Sequence, residues 1–149
     1  MTDRAVVVGP DGRAKAYRPI PEHERMAAIA AGLASYERGD YFEAHEELEP
    51  AWMGTDVRAE RALLQGIIKV AAAYVHDVRG NPAGIARNLT GARTLLLDAA
   101  AGGPADNAAG IDLTALIADV ELRLDDLADH PGQPTLGAPA LIRLRRSRP

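Results

Sequence analysis

The chain has 149 residues, no cysteine and a formal net charge of −4. The length fits one domain with a single core, and the missing thiols exclude disulfides, thiolate metal sites, iron–sulfur clusters and cysteine nucleophiles. The acidic balance argues against a nucleic-acid-binding protein. With one Trp, one Phe and four Tyr, alanine and leucine must fill most of the core, which favours closely packed helices. The reading is therefore all-α: a single bundle of about five helices, with an extended N-terminal arm over residues 1–20, a helical domain over 21–130 and an irregular Arg-rich tail over 131–149. Neither a signal peptide nor a membrane span is recognisable, so the expected location is cytoplasmic.

The arm contains Gly9-Pro10-Asp11-Gly12 and Pro19, which read as extended chain and a turn; no segment alternates long enough to predict a paired strand. The first helix is predicted from Pro21, with Glu22 and Glu24 at the positive end of its dipole, and Gly39 ends it. Met26, Ile29, Ala30, Leu33 and Tyr36 form its apolar stripe. Asp40 is the expected N-cap of the second helix, and Glu43 completes a capping-box pattern. That helix is predicted to run to Met53, with Gly54 as the stop.

The third helix is predicted over 56–79 and is apolar nearly all round, as suits the middle of a bundle. Gly80, Asn81 and Pro82 then spell a C′ residue, an N-cap and a first helical residue. Such a tight turn makes the third and fourth helices antiparallel neighbours. The fourth repeats Ile85, Leu89, Ala92, Leu95, Leu96 and Ala99; the fifth, Leu113, Leu116, Ile117, Val120, Leu124 and Leu127. Arg38-Gly39-Asp40 and Arg79-Gly80-Asn81 echo each other, either as a helical repeat or as two helix ends capped by the same chemistry. The tail holds Arg143, Arg145, Arg146 and Arg148 and no acid. It reads as a solvated segment or one docked on the acidic body, with an RNA or phosphate contact as the alternative.

Chemistry concentrates on the second and third helices. At 100° per residue, with His45 as origin, Trp52 lies at about −20°, Tyr41 at about −40°, Leu48 at about −60° and Glu49 at about +40°. This places His45 in the middle of the apolar face with Glu49 at its edge, Glu46 further out, and Glu43 and Glu47 toward solvent. On the third helix Gln65, Lys69, Ala72 and His76 form one polar stripe that Arg61 extends. The stripe is either the wet face of that helix or a polar seam. If the His45/Glu49 edge lies against it, two imidazoles, carboxylates, an amide and a lysine converge, and such buried polar groups must be paired in a network.

His45-Glu46-Glu47-Leu48-Glu49 resembles the zinc helix H-E-x-x-H with its second histidine replaced by glutamate. His45 and Glu49 are thus candidate ligands of a divalent metal, with His76 as third. No E-x-x-H pair is present, which argues against a di-iron bundle. P-loop, dinucleotide-binding and G-x-S-x-G patterns are also missing.

The run Tyr41-Phe42-Glu43-Ala44-His45-Glu46-Glu47-Leu48-Glu49, then Trp52, then Gln65-Gly66-Ile67-Ile68-Lys69-Val70-Ala71-Ala72-Ala73, His76 and Gly80-Asn81 resembles the bacterial and archaeal family named domain of unknown function 309. The resemblance covers roughly residues 36–97. It implies an all-helical fold and a shared surface near His45, Glu46, Glu49, Trp52, Gln65 and His76, without an established activity. The chain departs from the pattern at Pro50 and at Lys69, which stands where glutamine is usual and is placed to pair with Glu49.

Two functional readings follow. In one, a polar pocket binds a small molecule or metal and is hydrolytic: His45, Glu46 and Glu49 are the catalytic candidates, and Trp52, Gln65, Lys69 and His76 line the pocket. In the other, the chain is a non-enzymatic helical interaction module whose polar cluster fixes helix register. Self-association is compatible with either.

Overall fold

The computed structural model describes residues 6–8, 14–78, 80–102 and 110–129. It contains five helices, α1 (Glu22–Glu37), α2 (Tyr41–Met53), α3 (Arg58–Val78), α4 (Pro82–Ala101) and α5 (Leu113–Asp129), preceded by short strands β1 (Val6–Val8) and β2 (Ala14–Ala16). The all-α reading holds for the bundle. The arm, expected unpaired, instead forms an antiparallel hairpin with Val7 opposite Lys15; three-residue strands are too short to show the alternation that sequence reading depends on. The predicted tail lies outside the described residues.

The two echoed junctions are the same device used twice. Gly39 (φ 84°) and Gly80 (φ 67°) adopt the left-handed conformation, and the next amide bonds back across the turn, Asp40 N–H to the Ser35 carbonyl and Asn81 N–H to the His76 carbonyl, both at 2.9 Å. This 6→1 closure is a Schellman ending. The caps that follow differ. Asn81 Oδ1 accepts the Gly84 N–H at 3.2 Å, as expected of an N-cap. Asp40 makes no side-chain cap; its carboxylate accepts from Arg38 Nε at 3.2 Å, so the predicted capping box does not form.

Helix α3 is the centre of the bundle, packed against α2 on one side and α4 on the other; α1 packs on α2, and α5 on α4. The whole predicted stripe of α4 is buried, as are Leu63, Leu64, Ile67, Ile68, Val70, Ala71 and Tyr74 of α3. On α1, Ile29, Leu33 and Tyr36 are buried, whereas Met26 is 40% exposed. Helix α5 is shallower: only Leu116 and Val120 are buried. The arm is tied to the end of α2, with the Arg18 N–H donating to the Met53 carbonyl at 2.8 Å. Gly54 has an ordinary φ of −90°. Its lack of a side chain matters because a Cβ there would lie 2.8 Å from Ile20.

Candidate functional site

The orientation of α2 decides what its polar residues can do. Its buried residues are Ala44, Leu48 and Ala51, centred about 100° around the helix from His45. His45 is therefore not in the middle of the buried face, as the wheel suggested, but on its shoulder, with a side chain 32% exposed. Gly32 explains the rotation. Leu48 fills the space that a side chain at Gly32 would need, so α1 draws Ala44 and Leu48 innermost and turns His45 outward. Glu47, expected in solvent, is half-buried and accepts a hydrogen bond from Ser35 Oγ.

On that shoulder His45, Glu46 and Glu49 each bring one potential ligand atom within 4.8 Å of the others. Positions i, i+1 and i+4 do this because one helical turn nearly superposes the first and last and the second lies beside them. His45 Nδ1 is buried and has no hydrogen-bond partner; Glu46 Oε2 lies 3.6 Å away. The imidazole ring runs nearly parallel to that of Phe42, with centroids 6.4 Å apart and 13° between planes. Phe42 itself is 57% exposed. Pro50 sits inside the helix and has no N–H, so the Glu46 carbonyl cannot take its usual i+4 partner.

Two residues of the polar stripe of α3, Lys69 and His76, turn to α4 rather than to this cluster. Gln65, Lys69, Ala72 and His76 are half-buried, and the two long side chains lie along α4. A Cβ at Gly91 would be 3.0 Å from Lys69 Cδ, and one at Gly84 would be 2.5 Å from His76 Cγ and Nδ1. His76 Nδ1 is also 3.1 Å from Asn81 Nδ2. His76 is thus bound to the α3–α4 turn and does not join the His45 group, and among the described residues no ion pair links Lys69 to Glu49. The sequence does contain the signal for this arrangement. Lys69 and His76 are seven apart on one side of the turn, and Gly84 and Gly91 are seven apart on the other, so an antiparallel hairpin sets each long side chain over a glycine.

Trp52 is half-buried, and its Nε1 is buried without a partner. Its neighbour is Arg61, whose guanidinium carbon lies 5.1 Å from the ring centroid, a cation–π contact. Arg61 is only 4% exposed. Its Nη1 donates to the carbonyls of Thr55 at 3.2 Å and Trp52 at 3.4 Å, so it clasps the α2–α3 turn. Burial lowers its pKa, against which the nearby Tyr17 acts to raise it. Sequence reading treated Arg61 as an extension of the stripe and passed over Tyr17; neither burial nor the arm's path has a periodic signature. At the other end of α2, Tyr41 stacks on Tyr74 (centroids 4.6 Å) and meets Tyr36 edge-on (5.2 Å). Burial, then the neighbouring Tyr74 and Tyr41, holds the Tyr36 phenol well above its ordinary pKa.

Residues 29–88 match the model of the family described as Domain of unknown function (DUF309). The chain resembles that family over this stretch, which runs from within α1 to the second turn of α4 and contains every candidate site residue. No curated protein matches the chain. Among the described residues no helix is long and apolar enough to cross a membrane.

Proposed function

We propose that the His45–Glu46–Glu49 turn holds a divalent cation at the edge of a small-molecule pocket, with Trp52 and Gln65 beside it, and that the chemistry it serves is hydrolytic. The observation that supports this reading is the convergence of three ligand atoms within 4.8 Å around a buried, unpartnered His45 Nδ1. One imidazole and two carboxylates suit zinc, manganese or iron. A bound cation would supply Lewis acidity and a water ionised near neutral pH. His45 and Glu49 are fixed by the helix that carries them, and the exposed Glu46 lies on the solvent side, where a substrate would arrive. In the cytoplasm, the location proposed for the chain, such ions are taken up selectively by ligand type and geometry.

The test is elemental analysis of the purified protein, followed by thermal denaturation with Zn²⁺, Mn²⁺ or Fe²⁺. At a free concentration of 100 Kd, one site stabilises by about 2.7 kcal/mol, a rise in melting temperature of roughly 5–11 °C for a domain of this size. His45→Ala and Glu49→Ala should each abolish the rise, whereas His76→Ala and Lys69→Ala should keep it. A melting temperature indifferent to all three ions would refute the metal reading. The exposed Phe42, stacked on His45, favours a second reading, an interaction module whose partner covers this shoulder. Under that reading Phe42→Ala would abolish partner capture while metal additions change nothing.

A further inference from the structure

Between Arg61 and Val75 every residue of α3 is buried except Gln65, Lys69 and Ala72. These three fall within about 60° of one another around the helix, so the central helix opens to solvent along one narrow strip. Helix α1 lies behind it: Arg25 pairs with Glu60 at 2.8 Å, and Glu60 is half a turn around α3 from Lys69. On α2 the side toward α1 is marked by Glu47, which accepts from Ser35. His45 and Glu49 are about 160° around α2 from Glu47, so their shoulder borders the strip. Two contacts fix the level, because Tyr41 stacks on Tyr74 and Trp52 lies over Arg61. Interpolating between them along two antiparallel helices sets His45 level with Lys69, and Glu49 level with Gln65.

Lys69 rests its stem on α4, where a Cβ at Gly91 would lie 3.0 Å from its Cδ and 3.7 Å from its Nζ. Its ammonium thus stands at the opening on the side away from His45. Among the described residues Lys69, Gln65 and Glu49 make no hydrogen bond or ion pair. Polar groups half-withdrawn from water usually have partners, and three without them at one level mark a place built to receive a polar guest. We propose that the small molecule served by the His45 turn is an oxyanion, a phosphate ester or a carboxylate, whose charged group lies between the cation and the Lys69 ammonium and accepts from the Gln65 amide. This rests on the metal reading for the charge that neutralises Glu46 and Glu49. By themselves the two carboxylates repel an anion; once a divalent cation cancels them, Lys69 stands as an uncompensated positive charge at the opening, and an anion is attracted.

Inorganic phosphate and acetate, titrated separately into the full-length chain by calorimetry, are the probes. With Mn²⁺ present the chain should bind at least one of them about tenfold more tightly than Lys69→Met does, the weight of one charge-assisted hydrogen bond; the tighter of the two names the class. The methionine still covers Gly91, and Lys69→Gln replaces it should that variant not fold. Both proteins should keep the Mn²⁺-induced rise in melting temperature, since Lys69 is not a ligand. A second arm omits the metal: Glu46→Gln with Glu49→Gln removes the two charges that the cation would cancel, and this variant should bind the anion through Lys69 where the metal-free wild type does not. If Mn²⁺ leaves the melting temperature unmoved but the neutralised variant binds the anion through Lys69, the metal reading falls and the oxyanion site stands. If Mn²⁺ binds but neither anion distinguishes lysine from methionine in either arm, the proposal is overturned and the metal reading stands.

Discussion

Gly84→Ala should change the sign of its effect on stability according to what stands at residue 76. The new Cβ would lie 2.5 Å from His76 Cγ and Nδ1, closer than any relaxed contact, so the ring must move or the helices must part. Such overpacking costs about 1–3 kcal/mol, partly offset by up to about 1 kcal/mol from replacing glycine in a helix. The single variant should therefore lose up to roughly 2 kcal/mol. His76→Ala loses the contact with Asn81 Nδ2, about 0.5–1.5 kcal/mol, and the packing of the ring. In that background the clash is gone, only the helix gain is left, and Gly84→Ala should stabilise by up to about 1 kcal/mol, or roughly 2–4 °C. Urea denaturation of the four proteins, followed by circular dichroism, measures the coupling. If Gly84→Ala has the same effect with and without His76, the ring is not wedged on that glycine, and His76 returns to the list of residues available to the His45 cluster.

Leu48→Ala should cost about 2–5 kcal/mol, since Leu48 is wholly buried against Gly32; a loss below 1 kcal/mol by urea denaturation would mean α1 does not set the rotation of α2. Arg61→Lys should destabilise markedly although charge is kept, because a lysine cannot both reach the Trp52 and Thr55 carbonyls and stack on the indole; unchanged stability and Trp52 fluorescence would contradict the clasp. Tyr36 and Tyr41 have raised folded-state pKa values, Tyr36 through burial and its tyrosine neighbours, Tyr41 through burial and Asp77. Their contribution is thus fully present below the unfolded phenol pKa of about 10 and is lost as pH rises through the folded values. Alkaline titration should show stability falling in that range, and less steeply in Tyr36→Phe; identical slopes would refute the assignment.

Much of this architecture is legible in the residues. Gly39-Asp40 and Gly80-Asn81 mark two helix ends because only a left-handed residue closes the turn so tightly, and the stripe from Ile85 to Ala99 is buried whole because α4 packs on both α3 and α5. The candidate site is legible only in composition. A helical wheel tells which residues share a face, not which face the rest of the molecule takes. His45, Leu48 and Trp52 do lie on one side of α2, but the space at Gly32 admits Leu48, and that choice moves His45 about 100° from the centre of burial. The stripe of α3 was similarly ambiguous between wet face and seam. It is half-buried from Gln65 to His76, and α4 claims Lys69 and His76, because two glycines there leave room for a lysine stem and an imidazole.

This division gives the polar residues separable roles. His76, Asn81 and Gly84 form a cap and wedge at the α3–α4 turn. Arg61, Trp52 and Thr55 form a clasp at the α2–α3 turn. His45, Glu46 and Glu49 lie on one turn of α2 between these ends. In the first two groups the donors and acceptors answer to the backbone of a turn, so removing one should weaken folding. The third is different: its carboxylates and imidazole answer to no turn, and Pro50 even denies the Glu46 carbonyl its helical partner. A register device would bury and pair such groups, since buried polar atoms left unpaired cost stability. Here they stand half-open beside an exposed phenylalanine, an arrangement that makes sense if something outside the bundle completes it.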